Sequence, residues 1–256
     1  MRTTFFLTSV LAASVSAAPA FPKITPELPA NIRAVSEYFN HLAAKVQENR
    51  FSSPPVCDLS KVSLPPAASS LPAPSSGLKL KHIAIGRGTQ NYTCSPSAPS
   101  EAPKAFGAVA TLFDASCLVA TQPSVANALG RAALYFDLSQ SEGVGRLVPA
   151  ATAAVRSGVH YFLDGTTPFF QVDGVGAFVG AKNASSPAPV GAFKGLKGEG
   201  AVAWLKLVSK AGAAAKSDGL EEVYRVETVG GSPPATCEGL PEKFEVQYAT
   251  QYWFYG

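Results

Sequence analysis

Three histidines stand in this chain of 256 residues, and His160 is the one with carboxylates close by. Asp164 follows four residues later and Asp173 sits in the next turn. An imidazole beside carboxylates can act as a general base or hold a metal ion. The two side chains share a strand face only if the strand runs unbroken, and Asp164-Gly165 reads as a turn. Structure and hydrogen bonding therefore outweigh catalysis for His160 and Asp164, which remain the candidate catalytic residues. His82, between Lys81 and Ile83, reads as structural. A Ser–His–Asp triad assembles in space and has no fixed spacing, but no Gly-x-Ser-x-Gly elbow occurs. Glycoside hydrolysis needs two facing acids, and the 18 acidic residues single out no pair. No catalytic constellation, metal site or cofactor is assigned.

Binding has better raw material. Tyr161, Phe162, Phe169, Phe170, Trp204, Tyr252, Trp253 and Tyr255 lie in β-like runs. Amphipathic rings on a β-scaffold can stack on sugar faces or apolar ligands, and Tyr161, Phe169, Trp204 and Trp253 are the candidate ligand contacts. The competing reading is that aromatics in strands are mostly core.

The elements that must carry these residues are mainly strands. Runs at 78–85, 89–94, 108–117, 159–163, 169–172, 177–181, 202–208, 222–229 and 244–254 are β-prone. Gly86-Arg87-Gly88 reads as a turn between the first two, and Asp173-Gly174 as a tight hairpin turn. The last run, ending Tyr252-Trp253-Phe254-Tyr255, is aromatic on both faces, which predicts a strand inside a sheet. A helix is expected within 122–138, weakened by Gly130. Another is expected within 31–49, where Ile32, Val35, Phe39, Leu42 and Val46 share one face. Many short strands between Gly, Pro and Ser turns predict an all-β sandwich or barrel with helical decorations.

Charged residues make up 15% of the chain, against roughly 25% in an average domain. A formal charge of +3 is too balanced for the basic footprint of a nucleic-acid binder. Residues 1–17 have a basic start, an apolar run and small residues at the cleavage positions, as in a secretory signal. That run is too short to span a bilayer, and no later segment comes close. Neither nucleic acid nor membrane is expected as a partner. An N-terminal extension at 18–51 and a Pro/Ser-rich linker at 52–77 then precede a β domain at 78–256. Four cysteines, Cys57, Cys94, Cys117 and Cys237, suit an oxidising compartment. No Cys-x-x-Cys and no histidine at ligand spacing accompanies them, which argues against zinc. Their pairing stays open among three arrangements. Asn91 and Asn183 head acceptor triplets for N-glycosylation, Asn183 in a polar Ser/Pro stretch.

Several blocks resemble a known family. Gly86-Arg87-Gly88-Thr89-Gln90-Asn91-Tyr92-Thr93-Cys94 and Ala110-Thr111-Leu112-Phe113-Asp114-Ala115 look like the opening blocks of the secreted domain-of-unknown-function family 3455, in its fungal style. His160-Tyr161-Phe162-Leu163-Asp164-Gly165-Thr166-Thr167-Pro168 resembles its central block, and Ala203-Trp204-Leu205-Lys206-Leu207, 224–231 and 247–255 its closing ones. The resemblance implies location and fold but no activity. It also implies a Cys94–Cys237 pair, leaving Cys57 for Cys117. Some members carry the name malate dehydrogenase, which the residues do not support. A dinucleotide site needs a Gly-x-Gly-x-x-Gly turn from strand to helix. Gly86-Arg87-Gly88 breaks at the third glycine, and Gly174-Val175-Gly176 has no strand–helix unit around it.

The reading reached is a secreted, disulfide-bonded, mainly β protein. Its expected role is a non-enzymatic extracellular or cell-wall module that binds a ligand, cell-wall polysaccharide or a small apolar or sugar molecule. The alternatives are a hydrolase or metal-dependent enzyme centred on His160 and Asp164, and a purely structural surface protein.

Overall fold

A computed structural model describes residues 57–134, 156–212 and 216–256. The signal expected at 1–17, the extension at 18–51 with its expected helix, the first residues of the linker and the end of the helix expected within 122–138 lie outside that range.

Eight antiparallel strands form a closed barrel, each pairing with its neighbour in sequence and the last with the first. They are β1 Leu80–Thr93, β2 Lys104–Asp114, β3 Arg156–Phe162, β4 Pro168–Val172, β5 Gly176–Ser186, β6 Trp204–Ser209, β7 Glu222–Gly230 and β8 Lys243–Tyr255. Helices α1 Ser116–Thr121 and α2 Pro123–Ala133 follow β2. Closure leaves no edge strand to template aggregation. Lys79 and Gly256 complete the seam by exchanging two backbone hydrogen bonds.

The residues expected to turn at Gly86-Arg87-Gly88 do not turn. They run straight through β1, and the expected hairpin is one 14-residue strand. The glycines serve close approach instead. A Cβ on Gly88 would stand 1.8 Å from the Val109 carbonyl oxygen, and one on Gly86 would stand 2.5 Å from the Tyr252 ring. Asp173-Gly174 is the hairpin turn expected between β4 and β5, with Gly174 at φ 70°.

Alternation along each strand divides the side chains between two cores. An eight-stranded barrel is just wide enough for side chains to fill it. Leu112, Phe170, Val172, Phe178, Val223, Tyr248, Tyr252 and Phe254 do so here. The opposite faces of β1, β6, β7 and β8 carry Ile83, Ile85, Trp204, Tyr224, Val226, Trp253 and Tyr255, which form a second core on the outer wall. This explains the doubly aromatic final strand: one face fills the barrel and the other is roofed.

The roof is α1, α2 and the Pro-rich segment. That segment makes two short 3₁₀ turns, Leu59–Lys61 and Pro66–Ser70, and contributes Ala68 and Leu71 to the outer core. It is a strap across the barrel, tied to α1 by the Cys57–Cys117 disulfide. Beneath it Lys206 and Glu222 pair at 2.9 Å, both nearly fully buried. Lys206 also donates to the Ala73 carbonyl and Tyr224 to that of Pro72, while Ser75 donates to Glu222. Burial alone would raise the Glu222 pKa, but the hydrogen bonds from Ser75 and Lys206 hold it below the ordinary value. A second disulfide, Cys94–Cys237, fastens the chain just past β1 to the loop before β8.

Candidate binding face

The strap and helices cover one side of the barrel, and among the described residues none of them covers the outer wall of β2 to β4. Inward pointing of Ala110, His160 and Phe170 forces their strand neighbours outward. Tyr161 pairs with Phe169, and Phe169 with Val179. Val109, beside Ala110 in the β2–β3 register, continues the row on the other side. Rings of Tyr161 and Phe169 lie 5.0 Å apart. Exposure is 52% for Val109 and 39% for Tyr161, with Phe106 at 53% and Leu163 at 45% beside them. Parallel to this apolar row runs a more polar one, Thr111, Val159 and Gln171, in the same register. A contiguous exposed apolar patch rimmed by polar groups is the usual mark of an interaction surface.

Asp164 shapes the rim of this face. One carboxylate oxygen accepts from the Thr166 N–H at 2.9 Å, the Thr166 hydroxyl at 2.7 Å and the Thr167 N–H at 2.8 Å. The other oxygen accepts from the Thr167 hydroxyl at 2.9 Å. These bonds, led by the Thr166 hydroxyl, hold the carboxyl well below the usual carboxylate range. In the turn so fixed, Gly165 leaves room for the Phe106 ring, which a Cβ would meet at 2.8 Å.

His160 goes the other way. It is 3% exposed, inside the barrel, stacked on Phe170 with ring centroids 3.9 Å apart. Its Nδ1 lies 2.8 Å from the Phe169 carbonyl oxygen. Burial pushes its pKa down to about 3, so the ring is neutral. His160 and Asp164 are thus placed apart, one in the sealed interior and one in an exposed turn. Among the described residues no cluster of three His, Cys, Asp or Glu side chains is arranged to hold a metal.

A different histidine meets serines. His82 Nε2 lies 3.0 Å from the Ser157 hydroxyl, and Nδ1 lies 3.2 Å from the Ser116 hydroxyl and 3.8 Å from Asp114. The order imitates a nucleophile, base and acid. However, Ser116 is nearer than the carboxylate, and Ser157 is buried. Ser116 also bonds the backbone of Ile83, so the cluster sews β1, β3 and the start of α1 together.

Of the four aromatics proposed as ligand contacts, Tyr161 and Phe169 meet on the open face. Trp253 is buried in the outer core, its indole N–H donating to Gln251 at 3.1 Å. Trp204 is buried too, beside a cleft at β7. Phe106, Val109 and Leu163 were not singled out by sequence reasoning. Alternation with the small inward residues Ala108 and Ala110 was the signal for Val109. Asn183 lies exposed at a bulge in β5, on a strand where a loop was expected, and Asn91 is half-buried in β1. The glycine runs weighed as nucleotide turns lie within β1 and the β4–β5 hairpin.

No curated protein and no solved structure matches the chain. A family model described as a protein of unknown function (DUF3455) matches residues 74–256, from the end of the strap through the whole barrel, and the chain belongs to that family.

Proposed function

We propose that this protein is a secreted, non-enzymatic module that holds a neutral cell-wall polysaccharide on the open face of β2 to β4. The observation carrying the reading is the exposure of Val109 and Tyr161, with half-buried Phe169 beside them, while among the described residues the strap and helices roof the opposite wall of the same barrel. Rings presented in a row suit the apolar faces of successive sugar units, and the neighbouring row of Thr111 and Gln171 supplies groups that hydrogen-bond hydroxyls. Two disulfides and the N-terminal signal support an extracellular setting.

Retention of the full chain on chitin, β-glucan and cellulose, with soluble sugars as competitors, tests this. Retention that competes away is expected on at least one polymer. Tyr161→Ala should weaken it roughly tenfold without changing the melting temperature, because the ring is on the surface. Undiminished retention in that variant sinks the face, and no retention by the parent chain sinks the function.

A further inference from the structure

On the roofed side, β7 carries a bulge. Its pairing to β8 slips between Val226 and Val229, so Glu227 and Thr228 together oppose Thr250. Glu227 sits at φ 50°, the one non-glycine at positive φ among the described residues. Backbone in that region is uncommon for such a residue and points to a constraint imposed from outside it. Here the flanks impose it: the Thr228 hydroxyl donates to the Val202 carbonyl at 2.6 Å and the Thr250 hydroxyl to that of Val226 at 2.7 Å. Bulges often re-aim a side chain at a functional site.

Glu227 lines a cleft of about 240 Å³ together with Trp204, Asn127, Val229, Pro189 and Phe193. Three polar groups stand there with capacity to spare. Trp204 is 2% exposed, and its indole N–H has no hydrogen-bond partner among the described residues. A buried donor left unpaired is rare and calls for an explanation. Asn127 is oriented by a chain of bonds. An indole only donates, so Gln251 accepts from Trp253 with its oxygen and gives its NH₂ to the Asn127 oxygen at 2.7 Å. The Asn127 NH₂ is left as the donor. Burial raises the Glu227 pKa, and among the described residues no hydrogen bond holds its carboxylate. The apolar wall is fixed in place: the Arg131 guanidinium lies 4.7 Å from the Phe193 ring centroid, and the Gly230 N–H donates to the Phe193 carbonyl.

We propose that this cleft is a second ligand site, taking a single neutral pyranose ring that bears an acetamido group. The chemistry follows group by group. The acetamido N–H supplies the donor that the Glu227 carboxylate accepts, and its carbonyl supplies the acceptor that the Trp204 N–H lacks. The methyl group and the C–H face of the ring lie on Phe193, Val229 and Pro189, and a ring hydroxyl accepts from Asn127. A plain hexose offers hydroxyls that can pair with either group, but it lacks the acetamido methyl that fills the apolar wall, so it is expected to bind more weakly. The site is independent of the open face.

Isothermal titration of the full chain with free N-acetylglucosamine and, separately, glucose tests the assignment. Saturable binding of N-acetylglucosamine, with glucose weaker by roughly tenfold or more, is expected. Glu227→Asn, which tolerates the left-handed backbone, and Trp204→Phe, which keeps a ring in the outer core and removes the unpaired N–H, should each weaken it. Trp204→Phe decides alone if the Glu227 variant does not fold. Tyr161→Ala should leave this titration unchanged while lowering retention on polymers, which separates the two sites. Absence of binding by either sugar overturns the site, equal affinity for both overturns the acetamido assignment, and unchanged binding in Trp204→Phe overturns its location.

Discussion

His160 is held as a neutral ring, and that has a cost in acid. Its pKa falls from an ordinary 6.5 to about 3 in the folded protein. Between those values the unfolded chain takes up a proton that the folded chain refuses, so stability rises with pH across the window and falls as acid is added. His160→Gln keeps a donor for the Phe169 carbonyl but no group that titrates there. Urea unfolding midpoints should therefore drop less in the variant than in the parent as pH is lowered from 6.5 towards about 3. Equal slopes would assign the acid sensitivity to other groups. Residue types in the sequence pointed to His160 for chemistry because composition counts a histidine and a nearby carboxylate. Only the pairing of β3 with β4 shows that one side chain enters the barrel and the other leaves in the turn. Tyr161 and Phe169 were legible only as candidate ligand contacts by type, and the register puts them side by side. Glu227 was not legible at all, since a bulge is a property of two strands and its sign in one of them is silent.

At the scale of elements, the strap is the least expected part. Its composition of Pro, Ser and Ala reads as a linker with no core of its own, whereas in the structure its Ala68 and Leu71 join the outer core of the barrel. Cutting the Cys57–Cys117 bond with a Cys57→Ser, Cys117→Ser double variant should free it. Removing a native disulfide costs typically 2–5 kcal/mol, roughly. Hydrogen exchange should accelerate at 59–75 while β1, β7 and β8 stay protected. Loss of protection throughout the barrel would instead make strap and barrel one cooperative unit. The β4–β5 hairpin was readable because Asp173-Gly174 announces a turn in the local sequence. The two glycines inside β1 give the same local sign for a different reason, the crowding of Tyr252 and the β2 backbone against them. Helix α1 hid within a run that looks β-prone as far as Cys117, and it begins where Asp114 accepts from the Ser116 N–H.

For the whole molecule, many short β-prone runs between Gly, Pro and Ser turns predicted an all-β architecture, but they left sandwich and barrel open. The choice depends on what β8 meets, a contact between the two ends of the domain on which no local pattern reports. Closure also sorts the surface into a roofed wall and an open one, and so decides where a ligand has access. The two backbone bonds between Lys79 and Gly256 make the beginning and end of the barrel next neighbours in space. The order in which the strands are written along the chain is then one of several that would give the same object. A circular permutant that starts at Gly174, ends at Asp173 and joins Gly256 to Lys79 through a short Gly/Ser bridge, with residues 1–78 omitted, should still close, because new ends at an exposed turn are generally tolerated. Its far-ultraviolet circular dichroism and retention on polymer should match those of an unpermuted chain cut at the same residue. A permutant without β structure would show that the strap, and not the seam, is what brings the first strand to the last.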